Sequence, residues 1–229
     1  MLSQSEFALQ MDGPSVEAQV SLLSRRGGAD AVGMASVLSR RVNGTVDWSP
    51  LGGPEARFKF AGNGGESVLF KDSLDAGRIL KLRGRPENGF ESTGFGCVLG
   101  RNRRGLIEFQ PGTLAQALVR ESLCWEQFGF GSTIAEIIGD DDGLLLAQPW
   151  ITPSPLVPVS KTRPMIECWM RERGWEPLHE RSEVLITLRG DAWHRDGLGA
   201  FDVHEHNFIL SEDDGELYPV DVIIWPLPD

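Results

Sequence analysis

The stretch from Phe201 to Asp221 limits most strongly what this chain can fold into. It begins Phe-Asp-Val-His-Glu-His-Asn and continues into a short apolar run, a polar turn centred on Asp214-Gly215 and a second apolar run. Two apolar runs around an Asp-Gly turn predict a β-hairpin. Residue 214 is the midpoint of residues 207 and 221, so the hairpin should return Asp221 to the side of Asn207, one short loop from Asp202.

Three oxygen-bearing side chains would then converge on one point. An amide oxygen and a carboxylate are suitable ligands for Mg²⁺ held on phosphates, so Asn207 and Asp221 are the candidate metal ligands. The remaining carboxylate, Asp202, is left to orient or deprotonate a hydroxyl. The alternative is that these residues only satisfy turn backbone, because Asp and Asn are common in loops for that reason.

The composition, with 41% hydrophobic and 24% charged residues, is that of an ordinary soluble globular protein. At 229 residues the chain is long enough for one large domain or for two small lobes with separate cores. No apolar run has the length of a membrane span, and residues 1–6 lack the pattern of a signal peptide. We therefore expect a cytoplasmic protein without a membrane partner.

The charge and the cysteines exclude further classes of function. A formal net charge of −11 would repel a nucleic-acid backbone, which argues against nucleic acid as a partner. Cys97, Cys124 and Cys168 are widely spaced and include no Cys-x-x-Cys pair. They are predicted to be small buried residues, neither a disulfide framework nor a zinc site.

Residues 57–82 predict three antiparallel strands joined by turns, of which the first turn is rich in glycine. Glycine lets backbone N–H groups approach a phosphate without a Cβ in the way. This turn precedes a strand and not a helix, which excludes a P-loop and a dinucleotide fingerprint. The candidate phosphate-binding residues in the turn are Gly62, Gly64, Gly65 and Ser67.

Lys81 stands between two leucines on the third predicted strand, so its side chain should lie on the face opposite theirs. A lysine on a partly apolar face needs a partner, unless it extends to solvent. Residues 113–116 match a capping box, so a helix is predicted from there to about Phe128. Glu121 falls in the apolar stripe of that helix, where a carboxylate is costly unless it is paired. We predict that it pairs with Lys81, with an arginine or a backbone group as the alternative partner.

Two further strands around residues 140–143 would complete an antiparallel sheet of about five strands. Gln148-Pro149-Trp150-Ile151 then enters a proline-rich linker, residues 152–159, which predicts a hinge whose backbone lies beside a base. Gln148 and Trp150 are therefore candidate binding residues. We divide the chain into a helical extension with two short helices (1–50), a first lobe (51–151) and a second lobe (152–229).

The second lobe is predicted to contain a helix over residues 165–173 and short strands over residues 183–188 and 192–193. Across residues 57–221 the order of a glycine-rich hairpin, a strand lysine, a helix glutamate and an Asp-x-x-x-x-Asn loop with a later Asp resembles the protein-kinase-like superfamily. The nearest resemblance is to the compact kinase-like domain of polyvalent proteins of phages and mobile elements. Those domains are similar in the strand-turn-strand lysine unit, the Gln-Pro-aromatic-Ile hinge and an Asp-x-His-x-x-Asn-Phe loop.

The resemblance implies an α+β, two-lobed protein-kinase-like fold. Its N-lobe would be an antiparallel five-stranded sheet with one helix, and its reduced C-lobe would be mostly helical and lack an activation segment. The implied activity is an ATP- and Mg²⁺-dependent phosphotransferase that moves the γ-phosphoryl group to a hydroxyl on a protein or a small molecule. Lys81, steadied by Glu121, would position the α- and β-phosphates; Asn207 and Asp221 would bind Mg²⁺; Asp202 would serve the acceptor hydroxyl.

Two alternatives remain open. Ala200-Phe201 replaces the usual His-Arg of the loop, and no glycine follows Asp221, so a second hypothesis is a nucleotide-binding pseudokinase that acts as a regulatory module. A third takes His204, Glu205 and His206 as a metal-hydrolase site, because alternate residues of an extended segment share a face.

Overall fold

The computed structural model describes residues 41–42, 45–46, 58–63, 66–84, 94–138, 143–178 and 191–227. Strands β1 (Arg41–Val42) and β2 (Thr45–Val46) form a small antiparallel pair. The two helices predicted within residues 1–50 lie outside the described residues, apart from Arg41, which is in a strand. The strand predicted over residues 183–188 also lies outside them.

The front half of the structure, residues 58–149, is built on an antiparallel sheet. Five strands lie in the order β3-β4-β5-β9-β8, so the predicted three-stranded unit is confirmed and two later strands extend it. Strands β6 and β7 pair with each other in a separate hairpin. The seven strands are β3 (Phe58–Asn63), β4 (Val68–Asp72), β5 (Arg78–Gly84), β6 (Cys97–Arg101), β7 (Ile107–Pro111), β8 (Thr133–Ile138) and β9 (Gly143–Pro149).

Helix α1 (Leu114–Phe128) begins and ends where its capping residues predict. The Thr113 hydroxyl accepts a hydrogen bond from the Gln116 N–H at 3.3 Å, and the Gln116 side chain accepts one from the Thr113 N–H at 2.9 Å. These two bonds satisfy N–H groups that have no partner within the helix. At the other end Gly129 adopts a φ of 67°, a left-handed conformation that glycine accepts without strain, and donates its N–H to the Trp125 carbonyl.

Replacing Thr113 by Ala should lower the free energy of unfolding by about 1 kcal/mol, because the helix N-terminus loses its side-chain acceptor. Denaturation in urea, followed by circular dichroism, measures this difference. Thr113→Ser keeps the hydroxyl and should stay close to the wild type. If the alanine and serine variants lose equal stability, the capping bond does not contribute as proposed.

Alternation along β5 decides which residues enter the core. Leu80 and Leu82 are about 1% exposed and share a buried cluster with Phe58 and Phe70. Lys81 therefore lies on the opposite face, as the sequence predicted. Helix α1 packs on the sheet through a second buried cluster, in which Leu118 contacts the sheet residues Ile134, Leu144 and Leu146. Cys124 of the same helix belongs to the buried cluster of the rear half.

The described residues of the rear half, within 150–227, include six short strands. Among its described residues it has one α-helix, α2 (Arg163–Glu172). Strands β10, β11, β12 and β15 form an antiparallel sheet in that order, and β13 pairs with β14 as a hairpin. The six strands are β10 (Glu176–Pro177), β11 (Trp193–Arg195), β12 (Leu198–Phe201), β13 (Phe208–Leu210), β14 (Leu217–Pro219) and β15 (Ile223–Pro226).

The predicted fold class is therefore wrong in its second lobe, which is not mostly helical. That expectation came from the resemblance and not from the residues. The apolar run of residues 222–225 is too short for a helix. Pro219 and Pro226 are the last residues of their strands, and a proline at either position would interrupt a longer helix through this region. Some apolar residues of this half are buried together with α2, whereas Phe201, Ile223 and Trp225 pack against the hairpin of β6 and β7.

The three cysteines are free and differ in burial. Cys124 is buried, and burial raises the pKa of its thiol to about 12, so it is a neutral core residue. Cys97 is partly buried, whereas Cys168 on α2 is exposed, which corrects the prediction that all three are buried. No helix within the described ranges is both long enough and apolar enough to cross a membrane.

Candidate functional site

The hairpin of β13 and β14 forms the rear wall of a cleft between the two halves. Phe208 pairs with Pro219, and the Val220 N–H donates to the Asn207 carbonyl at 2.9 Å. The hairpin is confirmed, but its register differs by one residue from the predicted one. Val220 stands opposite Asn207, and Asp221 is the next residue.

The Val220 carbonyl joins the front half to the rear half. It accepts a hydrogen bond from Lys81 Nζ at 2.5 Å and another from Gln148 Nε2 at 3.1 Å. Lys81 Nζ also lies 3.6 Å from Asp221 Oδ1. Residues from β5, from β9 and from the segment after β14 therefore meet at one point, although Lys81 and Asp221 are separated by more than half of the chain.

The loop before β13 holds the Asp202 carboxylate in a fixed position. Asn207 Nδ2 donates to the Asp202 carbonyl at 2.9 Å and to its Oδ2 at 2.7 Å. Two acceptors on one amide nitrogen fix which way the Asn207 side chain is turned and leave its Oδ1 as the unused oxygen. The φ of Asp202 is 61°, a left-handed conformation that costs a residue with a Cβ about 1 kcal/mol or more. Such strain is typical of functional loops.

His204 lies against the other oxygen of this carboxylate. Its Nδ1 accepts the backbone N–H of His206 at 3.2 Å, so in the neutral ring the proton is on Nε2. Nε2 lies 3.1 Å from Asp202 Oδ1. Asp202 Oδ2 therefore has a hydrogen-bond donor within the loop, and Oδ1 is in contact with the His204 ring.

The arrangement of the histidines does not support a metal-hydrolase site. His204 is engaged with Asp202 and with the backbone, and the ring centroids of His204 and His206 are 5.8 Å apart. The described part of the chain contains no group of three or more His, Cys, Asp or Glu side chains that could hold a metal ion. A site formed by Asn207 and Asp221 would need the rest of its oxygen ligands from a substrate.

The cleft has a volume of about 230 Å³ and brings most of the predicted site residues together. Gln148 and Trp150 line it, and Ser67 does so from the end of the glycine-rich turn. Gly62 lies at a bulge in β3 with a φ of 153°, while Gly64 and Gly65 are outside the described residues. The remaining lining residues are Leu69, Ile79, Lys81, Pro149, Ile151, His206, Asn207, Ile209, Val220 and Asp221.

The predicted pair of Lys81 and Glu121 is wrong. Glu121 is buried, as predicted, but its carboxylate accepts a hydrogen bond from Arg83 Nη1 at 2.9 Å. Arg83 lies two residues after Lys81 on β5, so both side chains point to the same face of the sheet. The alternative expectation of an arginine partner is therefore confirmed. Lys81 is left to the Val220 carbonyl and to Asp221.

A buried ionic cluster, defined as Glu66, Arg83, Arg120, Glu121 and Asp221, lies beside the cleft. Burial would raise the pKa of the Glu66 carboxyl, but the charges of Arg120 and Arg83 lower it below its ordinary value. Partial burial would likewise raise the pKa of the Asp221 carboxyl, but the charges of Lys81, Arg83 and Arg120 lower it. Both carboxylates are therefore ionised near neutral pH. The cluster was not predicted, although Arg83 shares a strand face with Lys81.

The segment predicted as a hinge is hydrogen-bonded to both halves. The Trp150 N–H donates to the Gly77 carbonyl at 2.8 Å, and Lys71 Nζ lies 4.4 Å from the centre of the Trp150 ring. On the rear side two backbone bonds of 2.8 and 2.9 Å tie residues 152–154 to residues 210–212. The segment thus forms one wall of the cleft and is held in place on both sides.

The donor set of the cleft fits a nucleoside triphosphate with Mg²⁺. Asp221 is a carboxylate, 34% exposed, beside the lysine ammonium, and Asn207 carries the unused amide oxygen described above. Aliphatic and indole side chains on the same cleft, including Ile79 and Trp150, offer an apolar surface for a base. Carboxylate, amide and ammonium groups are the types that bind phosphates and their metal ion.

No protein-family model matches this sequence, and no curated protein matches it either.

Proposed function

We propose that the cleft binds ATP with Mg²⁺ and that the protein is a phosphotransferase which moves the terminal phosphoryl group to a hydroxyl on a protein or a small molecule. The observation that carries this proposal is the meeting of Lys81, Asp221 and Asn207 at one cleft. Asp202 is not among the residues that line the cleft, but it is hydrogen-bonded to Asn207, which is. The proposal concerns the site and does not depend on a helical second lobe.

Each residue has a role that its environment supports. Lys81 supplies an ammonium for the phosphate oxygens, and the Val220 carbonyl holds it at the cleft. Asn207 Oδ1 and the Asp221 carboxylate would hold Mg²⁺, which when bound neutralises charge on the phosphate oxygens. Ser67, Gln148 and Trp150 line the space for the rest of the nucleotide. Contacts of Gly62, Gly64 and Gly65 with the phosphates stay a prediction from the sequence.

Asp202 is the proposed base or orienting group for the acceptor hydroxyl. The hydrogen bond from Asn207 and the contact with the His204 ring hold its carboxylate in place. A hydroxyl that reaches Asp202 would transfer its proton to the carboxylate as its oxygen attacks the γ-phosphorus, and the bond from that phosphorus to the oxygen of ADP would break, so that ADP leaves. Catalysis of this kind depends mainly on positioning and electrostatics, because the chain contributes no covalent intermediate.

A second candidate is a nucleotide-binding module without transferase activity. It is favoured by the position of α2, the one α-helix among the described residues of the rear half, because no residue of α2 lines the cleft as a surface for a protein acceptor. It is favoured also by the 2.5 Å hydrogen bond from Lys81 Nζ to the Val220 carbonyl, which a phosphate oxygen would have to compete with. The two candidates share nucleotide binding and differ in phosphoryl transfer.

The experiment measures thermal stability and label transfer on the same preparation. ATP with Mg²⁺ should raise the melting temperature of the full chain with increasing concentration, and ADP should do so less. Incubation with γ-labelled ATP should transfer label to an added pool of small hydroxyl compounds or to protein. Asp221→Asn should lose both effects, whereas Asp214→Asn, in the exposed turn of the hairpin, should retain them. A melting temperature that no nucleotide changes would exclude both candidates.

A further inference from the structure

The Asp221 carboxylate faces three cations without a short bond to any of them. Its Oδ1 lies 3.6 Å from Lys81 Nζ, 3.8 Å from Arg83 Nη2 and 3.8 Å from Arg120 Nη2. These separations exceed hydrogen-bond length, although they are short enough for strong attraction between charges. Asp221 is therefore held by the field of its neighbours, and its oxygens stay available for another ligand.

Glu66 makes the short contact with one of these arginines, Arg120. Arg120 Nη1 lies 2.6 Å from Glu66 Oε2 and donates to Oε1 at 2.8 Å, whereas Arg83 is hydrogen-bonded to Glu121 and lies 3.5 Å from Glu66 Oε2. The Cys97 N–H donates to Glu66 and the Cys97 carbonyl accepts from Arg120, which fixes the pair from the side of β6. Glu66 and Asp221 thus compete for the Arg120 guanidinium, and Glu66 has the closer position.

We propose that Glu66 sets the affinity of Asp221 for a divalent cation by holding Arg120 away from it. This inference rests on the proposed function, because it assumes that Asp221 is a metal ligand. In the sequence Glu66 directly follows Gly65 of the glycine-rich turn. The charge of Glu66 would therefore couple this turn electrostatically to the proposed metal site. Glu66 is a positioning residue in this account and does not touch the metal or the nucleotide.

The proposal predicts that substitutions of Glu66 and of Arg120 change the affinity for a divalent cation in opposite directions. Glu66→Gln removes the carboxylate that holds Arg120, so the guanidinium can approach Asp221 and compete with a cation there. Arg120→Gln removes a positive charge 3.8 Å from Asp221 and leaves the Glu66 charge in place, which favours a cation. A role that only stabilises the fold would weaken binding in both variants.

The test titrates Mn²⁺ into the full chain and measures free Mn²⁺ by electron paramagnetic resonance, with Asp221→Asn as the blank for the site. Glu66→Gln should raise the dissociation constant about tenfold, and Arg120→Gln should lower it by a similar factor, as expected for a unit charge a few ångström away. The double variant Glu66→Gln/Arg120→Gln removes one negative and one positive charge, so its dissociation constant for Mn²⁺ should be close to that of the wild type.

The outcomes separate this inference from the proposed function. If the wild type binds Mn²⁺ more tightly than Asp221→Asn, but both single variants shift in the same direction or not at all, the role of Glu66 is overturned and the metal site stands. If Asp221→Asn binds Mn²⁺ as the wild type does, the metal site and the inference both fail. Should Arg120→Gln not fold, an unchanged or tighter constant for Glu66→Gln is sufficient to overturn the inference.

Discussion

The Asp202→Asn variant should transfer phosphate at least about 100-fold more slowly than the wild type while binding nucleotide with nearly unchanged affinity. The substitution keeps the size of the side chain but removes the base that would accept the hydroxyl proton. Its contacts with His204 and Asn207 lie within the loop, so the loop geometry should change little. Initial rates with γ-labelled ATP, together with the dissociation constant of ATP, measure the two quantities separately.

Asp196→Asn is the matched control for this experiment. Asp196 is the other described non-glycine residue with a positive φ, 49°, and its side chain is 92% exposed. The same chemical change in the same backbone conformation should leave the rate as it is. If Asp202→Asn and the wild type transfer label equally fast, Asp202 is not the base. If neither transfers label but both bind ATP, the nucleotide-binding module is the better description.

Replacing Arg83 by Met should lower the free energy of unfolding by about 3–5 kcal/mol. The Arg83 side chain is 1% exposed and donates to Glu121 at 2.9 Å and to the Ser67 hydroxyl at 2.9 Å. Its removal leaves the buried Glu121 without its ion-pair partner in the described part of the chain, and an uncompensated buried charge is costly. Urea denaturation of the wild type and the variant gives the difference.

Two further variants identify charge as the cause. Arg83→Met/Glu121→Gln removes both charges of the pair and should recover part of the lost stability, because no carboxylate is then left unpaired. Arg103→Met, at the exposed turn between β6 and β7, should change stability by less than about 0.5 kcal/mol. A loss below about 1 kcal/mol for Arg83→Met would show that the buried cluster contributes little to the fold.

Local sequence patterns determined the elements that depend on neighbouring residues. The capping box at Thr113 fixed the start of α1, because its two hydrogen bonds connect residues three apart. Alternation along β5 put Lys81 on the face away from Leu80 and Leu82. The Asp214-Gly215 turn specified the hairpin that carries Asn207 and Asp221 to one end of the cleft, although the register differs by one residue.

The helical second lobe failed as a prediction for a different reason. It was drawn from a resemblance in short motifs, and such motifs describe a site and not the architecture around it. The residues themselves offered short apolar runs interrupted by prolines, which form strands when a sheet is available to pair with. That pairing partner comes from distant parts of the chain.

The sequence by itself determined the capped helix and the strands of the front sheet, and it predicted the face of β5 on which Lys81 lies. Only the tertiary structure decided which charges pair. The sequence allowed Glu121 to pair with more than one cation of β5, and the packing of the helix on the sheet placed it beside Arg83. It also decided that Asp221 lies beside Lys81 and that Glu66 holds Arg120. These contacts join segments far apart in the chain, and their geometry follows from how the helix and two sheets pack, which no local pattern encodes.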